Sequence, residues 1–305
     1  MRVAALDLGS NTTLLLIADV HNGKVTNVVA DETTVTKLGA GVHQNKRFDP
    51  EALRRVREAM TKYRKIIDKH KVDRVAAVAT SAARDVSNGD ELLKIGRDLD
   101  IPIEIISGMR EARMTFLGAM SDVEDSEGAA VIDVGGGSTE LIIQNDNRIH
   151  EVSVNVGSVR LTDLFIKHHP IPDSEFSGAV AYAKEKFAEG KKALGSHRAN
   201  IVYGVAGTPT TLAALEWNEP FSEGKVHRFQ LTKATVDKWI RTLAPLSIED
   251  REKFRGMQPK RADVIVMGSV ALRSAMEALA CESLIVSVRG LRYGLAIEVA
   301  LGPLS

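Results

Sequence analysis

The chain has 305 residues, with 40 Lys or Arg against 40 Asp or Glu, so its formal net charge is zero. This length is typical of about two domains, and 44% hydrophobic residues exclude a disordered chain. Zero net charge gives no overall attraction to nucleic acid or anionic membranes. The single Cys281 excludes an intramolecular disulfide and a Cys-based zinc site. With no signal peptide or bilayer-spanning stretch, we expect a cytoplasmic protein.

The first half of the chain predicts strands followed by helices. HNGK at 21–24 reads as a hairpin turn, and Pro50 opens an amphipathic helix. One face of that helix carries Leu53, Val56, Met60, Tyr63 and Ile67. The predicted strands are 2–8, 13–20, 24–37, 73–80 and 101–106, and the predicted helices are 50–71, 88–98 and 109–121.

The second half repeats this scheme after the polar, acidic segment 121–128, which ends in Gly and predicts a domain boundary. The predicted strands are 129–134, 139–145, 148–156 and 200–206, and the predicted helices are 158–168, 173–193, 208–217, 232–244, 259–279 and 290–300. Strands followed by helices, twice over, predict two α/β domains. We place them at 1–124 and 125–305, and leave open whether the last helix packs back on the first domain.

An internal repeat supports this division. VAALDLGSNTTLLLI at 3–17 matches AAVIDVGGGSTELII at 129–143, and a constant offset of 126 places Asp7 on Asp133 and Gly9 on Gly135. VAAVATSAAR at 75–84 resembles IVYGVAGTPTTL at 201–212 at nearly the same offset. Two matches at one spacing indicate a gene duplication. We expect the two hairpin loops to face each other across a cleft.

Both hairpin loops have the composition of a phosphate site. Glycine allows a tight turn, and backbone amides and hydroxyls offer donors to phosphate oxygens. An Asp beside a phosphate requires a cation, and Mg²⁺ bridging carboxylate and phosphate meets that need. The alternative for each hairpin is a plain turn. The candidate phosphate-binding residues are Asp7, Gly9, Ser10, Asn11, Thr12, Gly135, Gly136, Gly137, Ser138 and Thr139.

A third Gly/Thr loop opens the helix predicted at 208–217. Amides at a helix start favour an anion or a ribose phosphate, so Gly207 and Thr208 are further candidates, with an ordinary helix start as the alternative. The sequence contains no GxxxxGK[ST], so it is not a P-loop NTPase, and GGGST lacks the spacing of a dinucleotide fingerprint.

Seven motifs in order resemble those of one family. They are DLGSNT (7–12), TSAARD (80–85), ISGMREAR (106–113), VIDVGGGSTELI (131–142), NVGSVRLTD (155–163), GTPTTLAA (207–214) and VRGLRYGLAIE (288–298). They resemble the exopolyphosphatase and guanosine pentaphosphate phosphohydrolase (Ppx/GppA) family. The resemblance covers nearly the whole chain. It implies duplicated ribonuclease-H-like domains of the actin/Hsp70/sugar-kinase superfamily, with an active site in the cleft between them.

The resemblance also implies a reaction and roles for particular residues. The family's reaction is Mg²⁺-dependent hydrolysis of a terminal phosphoanhydride bond. By motif, Glu111 is the catalytic base, Arg84 neutralises phosphate charge, and Asp133 and Glu140 organise Mg²⁺ and water, with Asp7 as a further metal ligand. Carboxylates and phosphate around Glu111 would raise its pKa. The alternatives are a surface pair between Glu111 and Arg113, and a structural ion pair for Arg84.

The sequence departs from the family pattern at three notable positions. Arg110 replaces the first Glu of the usual EE pair, where it would pair with Glu111 or contact phosphate. Val288 stands where Asp is frequent, and Tyr293 where Glu is frequent. These departures bear on nucleotide discrimination more than on the hydrolytic centre.

A basic segment and the histidines are further candidate sites. Residues 43–74 hold eleven Lys or Arg against five Asp or Glu. This pattern fits either a track for a long polyanion or, as we favour, the solvated face of a helix. The eight His show no metal-binding spacing, and the adjacent His168 and His169 read as a helix end.

The expected function is therefore exopolyphosphatase, with Mg²⁺ as cofactor and inorganic polyphosphate as substrate. Guanosine pentaphosphate is the alternative substrate, and activity on both is compatible with the motifs. Long members of the family carry an extra C-terminal helical region, so a chain of this length leaves the preference open. A non-hydrolytic alarmone or nucleotide sensor and a sugar or acetate kinase are the rivals from other classes. The family implies a homodimer, and neither nucleic acid nor a membrane is an expected partner.

Overall fold

The structure, a computed structural model, describes residues 1–146, 148–258 and 260–302. The chain divides into two compact units. The first unit is Met1–Glu124 together with the chain from Arg289 onward, and the second is Asp125–Val288. Pro259, where one predicted helix starts, and the last three residues of the predicted domain 125–305 lie outside the described residues.

The described part of the first unit forms a five-stranded sheet flanked by helices. Its elements before Glu124 are β1 (Arg2–Leu8), β2 (Thr12–His21), β3 (Lys24–Val35), α1 (Val42–Asn45), α2 (Pro50–Lys69), β4 (Arg74–Ala79), α3 (Ser81–Arg84), α4 (Gly89–Asp98), β5 (Ile103–Ile105) and α5 (Gly108–Ala119). The strand order is β3-β2-β1-β4-β5. The β1, β2 and β3 strands form an antiparallel meander, and β1, β4 and β5 run parallel.

The helix α2 forms for the reasons that its sequence indicates. The Asp49 carboxylate caps it by accepting from the amides of Glu51 and Ala52 at 2.8 and 3.3 Å, and Pro50 occupies the first turn. All the residues of the predicted apolar face are buried against the sheet, and these are Leu53, Val56, Met60, Tyr63 and Ile67. The predicted helix and its core face are therefore confirmed.

The described part of the second unit forms a six-stranded sheet. Its elements are β6 (Ala129–Val134), β7 (Thr139–Asn145), β8 (Arg148–Val154), α6 (Ser158–Phe165), α7 (Asp173–Leu194), β9 (Ile201–Val205), α8 (Gly207–Trp217), α9 (Glu223–Val226), β10 (Gln230–Thr232), α10 (Lys233–Leu243), α11 (Ile248–Glu252), α12 (Ile265–Ala278) and β11 (Ser283–Val286). The strand order is β10-β11-β9-β6-β7-β8. Among the described residues no helix is long and apolar enough to cross a membrane.

Several elements of the second unit differ from the sequence-based prediction. The sequence does not predict the strands β10 and β11, because they have only three and four residues. They pair with each other although their paired residues lie more than 50 positions apart in the chain. The helix predicted at 259–279 begins instead at Ile265. The residues before it form turns that carry Arg261.

The two sheets share one topology, which confirms the predicted duplicated α/β architecture. The strands β1, β2, β3 and β4 correspond to β6, β7, β8 and β9, with the same neighbours and directions. Asp7 lies opposite Leu14 across its hairpin, and Asp133 lies opposite Glu140, again 126 residues on. Each Asp therefore occupies the same position at the end of a central strand. The predicted cleft between the hairpins stays a prediction.

A helix from the end of the chain, α13 (Leu291–Leu301), packs within the first unit against α5 and β1. Glycines bring the two helix backbones into direct contact. A Cβ atom at Gly118 would lie 2.1 Å from the Gly290 carbonyl oxygen, and one at Gly294 would lie 1.8 Å from the Met114 carbonyl oxygen. Because any side chain there would force the helices apart, these glycines fix the position of α5.

We expect Gly118→Ala to lower the free energy of unfolding of the first unit by about 1–3 kcal/mol or more, since the added methyl group overpacks a backbone contact. Urea unfolding followed by circular dichroism measures this change. Gly224→Ala is the matched control, because a Cβ there meets nothing within 4 Å, and it should leave stability unchanged or slightly raised. Equal stability of the two variants would contradict the role of the helix contact.

Candidate active site

The loop between β1 and β2 is a tight turn with a buried tip. The Gly9 amide donates to the Thr12 carbonyl oxygen at 2.9 Å, and a side chain at Gly9 would come within 3.2 Å of that oxygen. Ser10 and Asn11 at the tip are only 4% and 6% exposed, although turn tips usually lie on the surface. This burial favours a functional loop over the plain turn.

The segment that follows β3 covers this loop and supplies its donors. Two of its amides donate to the Asn11 carbonyl oxygen at 2.9 and 3.0 Å, and the Gly39 amide donates to the Ser10 carbonyl oxygen at 2.7 Å. The Ser10 hydroxyl lies 3.1 Å from the hydroxyl of Ser81. Since Ser81 begins α3, the loop and the helix that carries Arg84 are adjacent.

The Asn11 side chain is the least satisfied polar group of this loop. Both its amide nitrogen and its amide oxygen are buried, and neither has a hydrogen-bond partner among the described residues. Leaving such a group unpaired costs about 1–3 kcal/mol. A bound phosphate that accepts from the Asn11 amide nitrogen would recover part of this free energy.

The loop between β6 and β7 repeats the same turn. The Gly135 amide donates to the Ser138 carbonyl oxygen at 3.0 Å, as in the first loop. Amides at the start of α6 donate to the carbonyl oxygens of Gly135 and Gly136 at 2.8–3.0 Å. A Cβ atom at Gly157 would lie 2.4 Å from the Gly136 carbonyl oxygen. Only glycine at position 157 allows α6 to approach the loop this closely.

Two acidic residues lie side by side beneath this second loop. Asp133 is 8% exposed, and its register partner Glu140 is fully buried. A single Glu140 oxygen, Oε1, accepts from the hydroxyls of Ser138 and Ser153, each at 2.8 Å. Glu140 therefore fixes the orientation of Ser138, a predicted phosphate-binding residue.

An arginine that the sequence analysis missed lies against the third loop. Thr208 at the start of α8 is 3% exposed, and the Arg261 guanidinium lies against Gly207, where a Cβ atom would be 2.0 Å from Arg261 Cζ. Arg261 Nε donates to Gln258 Oε1 at 2.9 Å, and burial lowers the pKa of Arg261 to about 10. No sequence motif had marked Arg261, because it falls in the segment predicted as helix.

Glu111 lies in the first turn of α5 and is almost completely buried. Arg84 Nη1 donates to Glu111 Oε2 at 2.8 Å and to the Ile106 carbonyl oxygen at 2.9 Å. Burial raises the pKa of the Glu111 carboxyl above its ordinary value, while Arg84 and a hydrogen bond from Thr80 oppose that rise. The cause of the raised pKa is therefore burial, not the neighbouring carboxylates invoked from the sequence.

The predicted magnesium ligands are acidic residues at strand ends. In the described part of the chain, no group of three or more His, Cys, Asp and Glu side chains is arranged to hold a metal. Mg²⁺ often takes only one or two carboxylates and completes its shell with water and substrate phosphate. Asp7 and Asp133, each at a strand end beside a phosphate-type loop, suit that mode of binding.

Comparison with known proteins identifies the family. The sequence model of the Ppx/GppA phosphatase family matches residues 16–301. The chain belongs to this family. It is 34% identical to exopolyphosphatase 2 of Mycobacterium tuberculosis, covering 98% of both chains. It is 28% identical to a guanosine-5'-triphosphate,3'-diphosphate pyrophosphatase of Pseudoalteromonas atlantica, covering 96% of this chain and 57% of that protein.

A solved structure of the Ppx/GppA family agrees with the fold. The crystal structure of the Aquifex aeolicus member has a TM-score of 0.81 and 32% sequence identity, and the match covers 99% of this chain and 98% of that one. The resemblance drawn from the motifs, the actin-like fold and the assignment to phosphoanhydride hydrolases are thereby confirmed.

The Arg110 departure from the Ppx/GppA pattern has a structural explanation. Arg110 does not pair with Glu111, as the sequence suggested. Its guanidinium binds Glu104 on β5 and, at 2.7 Å, Glu298 on α13. Glu111 is buried and pairs with Arg84, whereas the Arg113 side chain is exposed. Arg110 therefore ties α5 to its neighbours.

The other two departures from the Ppx/GppA pattern also make internal contacts. Tyr293 is fully buried, with the guanidinium groups of Arg289 and Arg292 at 5.5 and 6.0 Å from its ring centre. The Val288 amide donates to His227 Nδ1 at 3.4 Å. Both positions serve packing within their own unit.

The basic face of α2 is largely neutralised by neighbouring acids. Arg54 pairs with Glu51 and Glu58, and Arg57 pairs with Asp98 at 2.8 Å. Such exposed pairs are typical of a solvated helix surface. The structure thus favours the solvated face over a polyanion track.

We expect Arg84→Met to raise the pKa of Glu111 further, because the variant removes the cation and the hydrogen bond that stabilise the carboxylate. A general base must be deprotonated, so the acidic limb of the pH–rate profile should move to higher pH. Carboxyl ¹³C shifts of the full chain across pH measure the same change directly. Arg57→Met, which removes an exposed arginine of α2 that pairs with Asp98, is the control and should leave the pKa of Glu111 at the parental value, whereas a shift in this control as large as that of Arg84→Met would refute the pairing.

Proposed function

We propose that this chain is an exopolyphosphatase that removes terminal phosphate from inorganic polyphosphate. The observation that supports this most directly is that each unit carries a loop of phosphate-type composition whose carbonyl oxygens are bound by protein. The full-length similarity to exopolyphosphatase 2 favours polyphosphate as the substrate. The similarity to the guanosine-5'-triphosphate,3'-diphosphate pyrophosphatase covers only 57% of that enzyme.

The buried Glu111 has the properties of a general base. In the proposed reaction its carboxylate takes a proton from water, and the water oxygen forms a new bond to the terminal phosphorus. The bond from that phosphorus to the bridging oxygen breaks, which yields orthophosphate and a chain one phosphate shorter. Arg84 neutralises negative charge on the transferred phosphate. A raised pKa makes Glu111 a stronger base than an exposed carboxylate once it is ionised.

Asp133 would hold Mg²⁺ in this proposal, and Asp7 occupies the equivalent strand end in the first unit. When bound, the ion would neutralise the negative charge of the phosphates. We assign Glu140 a different part from the one predicted for it. Because its Oε1 atom accepts from the hydroxyls of Ser138 and Ser153, Glu140 orients Ser138 in this proposal.

Guanosine pentaphosphate hydrolysis is the second candidate, and Arg261 is the observation that favours it. A cation against Gly207, beside the amides at the start of α8, makes a further anion site that a nucleotide with phosphates at two positions would use. A sensor without hydrolytic activity is disfavoured, since it would have no need of a buried carboxyl with a raised pKa.

We expect purified protein with Mg²⁺ to release orthophosphate from polyphosphate with a higher kcat/KM than from guanosine pentaphosphate. Initial rates of phosphate release with each substrate measure this preference. A higher kcat/KM on the nucleotide would reverse the assignment, and no release from either would sink the hydrolytic function.

We expect Glu111→Gln to lower kcat by about 10²–10⁴-fold, the usual contribution of a general base, while KM changes little. Steady-state kinetics on polyphosphate separate the two constants. Glu58→Gln, an equivalent change on the exposed face of α2, should retain parental kinetics. Retained turnover in Glu111→Gln would place the base elsewhere.

We expect Asp133→Asn to raise the Mg²⁺ concentration required for half-maximal activity, since an amide oxygen is a weaker ligand than a carboxylate. Protein stripped with chelator and titrated with Mg²⁺ provides the measurement. Asp173→Asn, at an exposed helix start, is the control. An unchanged Mg²⁺ requirement in Asp133→Asn would remove this residue from the metal site.

A further inference from the structure

Arg160 is a buried arginine in contact with the second phosphate-type loop. It lies in the first turn of α6 and is 9% exposed. Its Nε atom donates to the Gly137 carbonyl oxygen at 2.6 Å, and its own amide donates to the Gly136 carbonyl oxygen at 2.9 Å. One residue thus binds two consecutive carbonyl oxygens of this loop.

Binding the carbonyl oxygens determines where the loop amides point. A trans peptide is planar, and its C=O and N–H groups point in opposite directions. The carbonyl oxygens of Gly135, Gly136 and Gly137 are all bound from the α6 side. The amides of the next residues in turn, Gly136, Gly137 and Ser138, are therefore directed away from α6. Consecutive amides with one orientation form an anion-binding nest.

The first loop achieves the same result without a side chain. Asn11 corresponds to Gly137 at the offset of 126, and backbone amides from the segment after β3 bind the Asn11 carbonyl oxygen. In the second loop, the backbone amides at the start of α6 bind the carbonyl oxygens of Gly135 and Gly136. The Gly137 carbonyl oxygen is bound by the Arg160 guanidinium. The duplication has kept the contact and changed the donor.

A run of three glycines makes this contact important. Glycine has access to many backbone conformations, so a peptide in Gly135–Gly136–Gly137 can flip and turn its carbonyl oxygen towards the phosphate. Such a flip replaces an attractive amide with a repulsive oxygen. A hydrogen bond from a charged donor is stronger than one from a neutral donor, so arginine is well suited to hold the peptide.

We propose that Arg160 is a positioning residue that holds the Gly137 peptide so that the loop amides face a bound phosphate. This inference rests on the proposed phosphate chemistry of the loop. Arg160 acts through the backbone of the loop, so its loss should weaken phosphate binding first.

We expect Arg160→Met to raise KM for polyphosphate at least tenfold, and Arg160→Lys, which retains a charged donor, to recover part of the loss. In the full ¹⁵N-labelled chain, inorganic phosphate should shift the Gly136 and Gly137 amide resonances of the parent and not those of Arg160→Met. Arg273→Met is the matched control. It removes a half-buried arginine that pairs with Asp237 and Glu277 on the helices of the same unit, and its KM should stay parental.

Several outcomes would overturn the proposal. These are a parental KM in Arg160→Met, an equal rise of KM in Arg273→Met, or no response of the parental Gly136 and Gly137 amides to phosphate. If Arg160→Met does not fold, Gly157→Ala decides, because its methyl group would displace the Gly136 carbonyl oxygen, and a parental KM there would refute the inference. If the parent releases no phosphate but its amides shift and those of Arg160→Met do not, the proposed function fails and the role of Arg160 stands.

Discussion

A short loop binds an anion through its amides only if the protein binds the carbonyl oxygens beside them. Both loops of this chain meet that constraint, and the surrounding architecture follows from it. In each sheet the third strand of the meander leads directly into the donors, which are the segment after β3 in one unit and α6 in the other. Both units share one turn, in which the amide of Gly9 or Gly135 donates to the carbonyl oxygen three residues later. This turn places the loop at the end of a central strand.

The helix that carries Glu111 is held in place by contacts with other elements of the first unit. The helix α5 approaches α13 through glycines at the backbone, and Arg110 ties α5 to Glu104 and Glu298. These contacts hold α5 where the Glu111 carboxyl is largely buried, at 7% exposure. Arg84 places a cation beside the Glu111 carboxylate and stabilises its ionised form in this buried position. Burial and Arg84 therefore act in opposite directions on the pKa of this carboxyl, and burial has the larger effect.

The local elements were largely readable from the sequence. Pro50 and the spacing of Leu53 and Val56 predicted α2 with its core face, and the repeated Asp–Gly hairpins predicted both halves of the duplication. The errors share one cause. The short strands β10 and β11 are stabilised by pairing partners distant in the chain, and the turns around Arg261 run directly into α12, so no local signal separates them from that helix. Local periodicity carries little information about either.

The sequence by itself determined the family, the two hairpins, and the identity of the acidic and glycine residues at the strand ends, because these depend on residue types at fixed short spacings. Only the tertiary structure decided which side chains meet. It paired Glu111 with Arg84, moved Arg110 to other partners, placed Arg261 on Gly207, and set Arg160 against Gly137. Those contacts join residues from separate elements, and packing of the elements, rather than any local preference, brings their atoms within hydrogen-bonding distance.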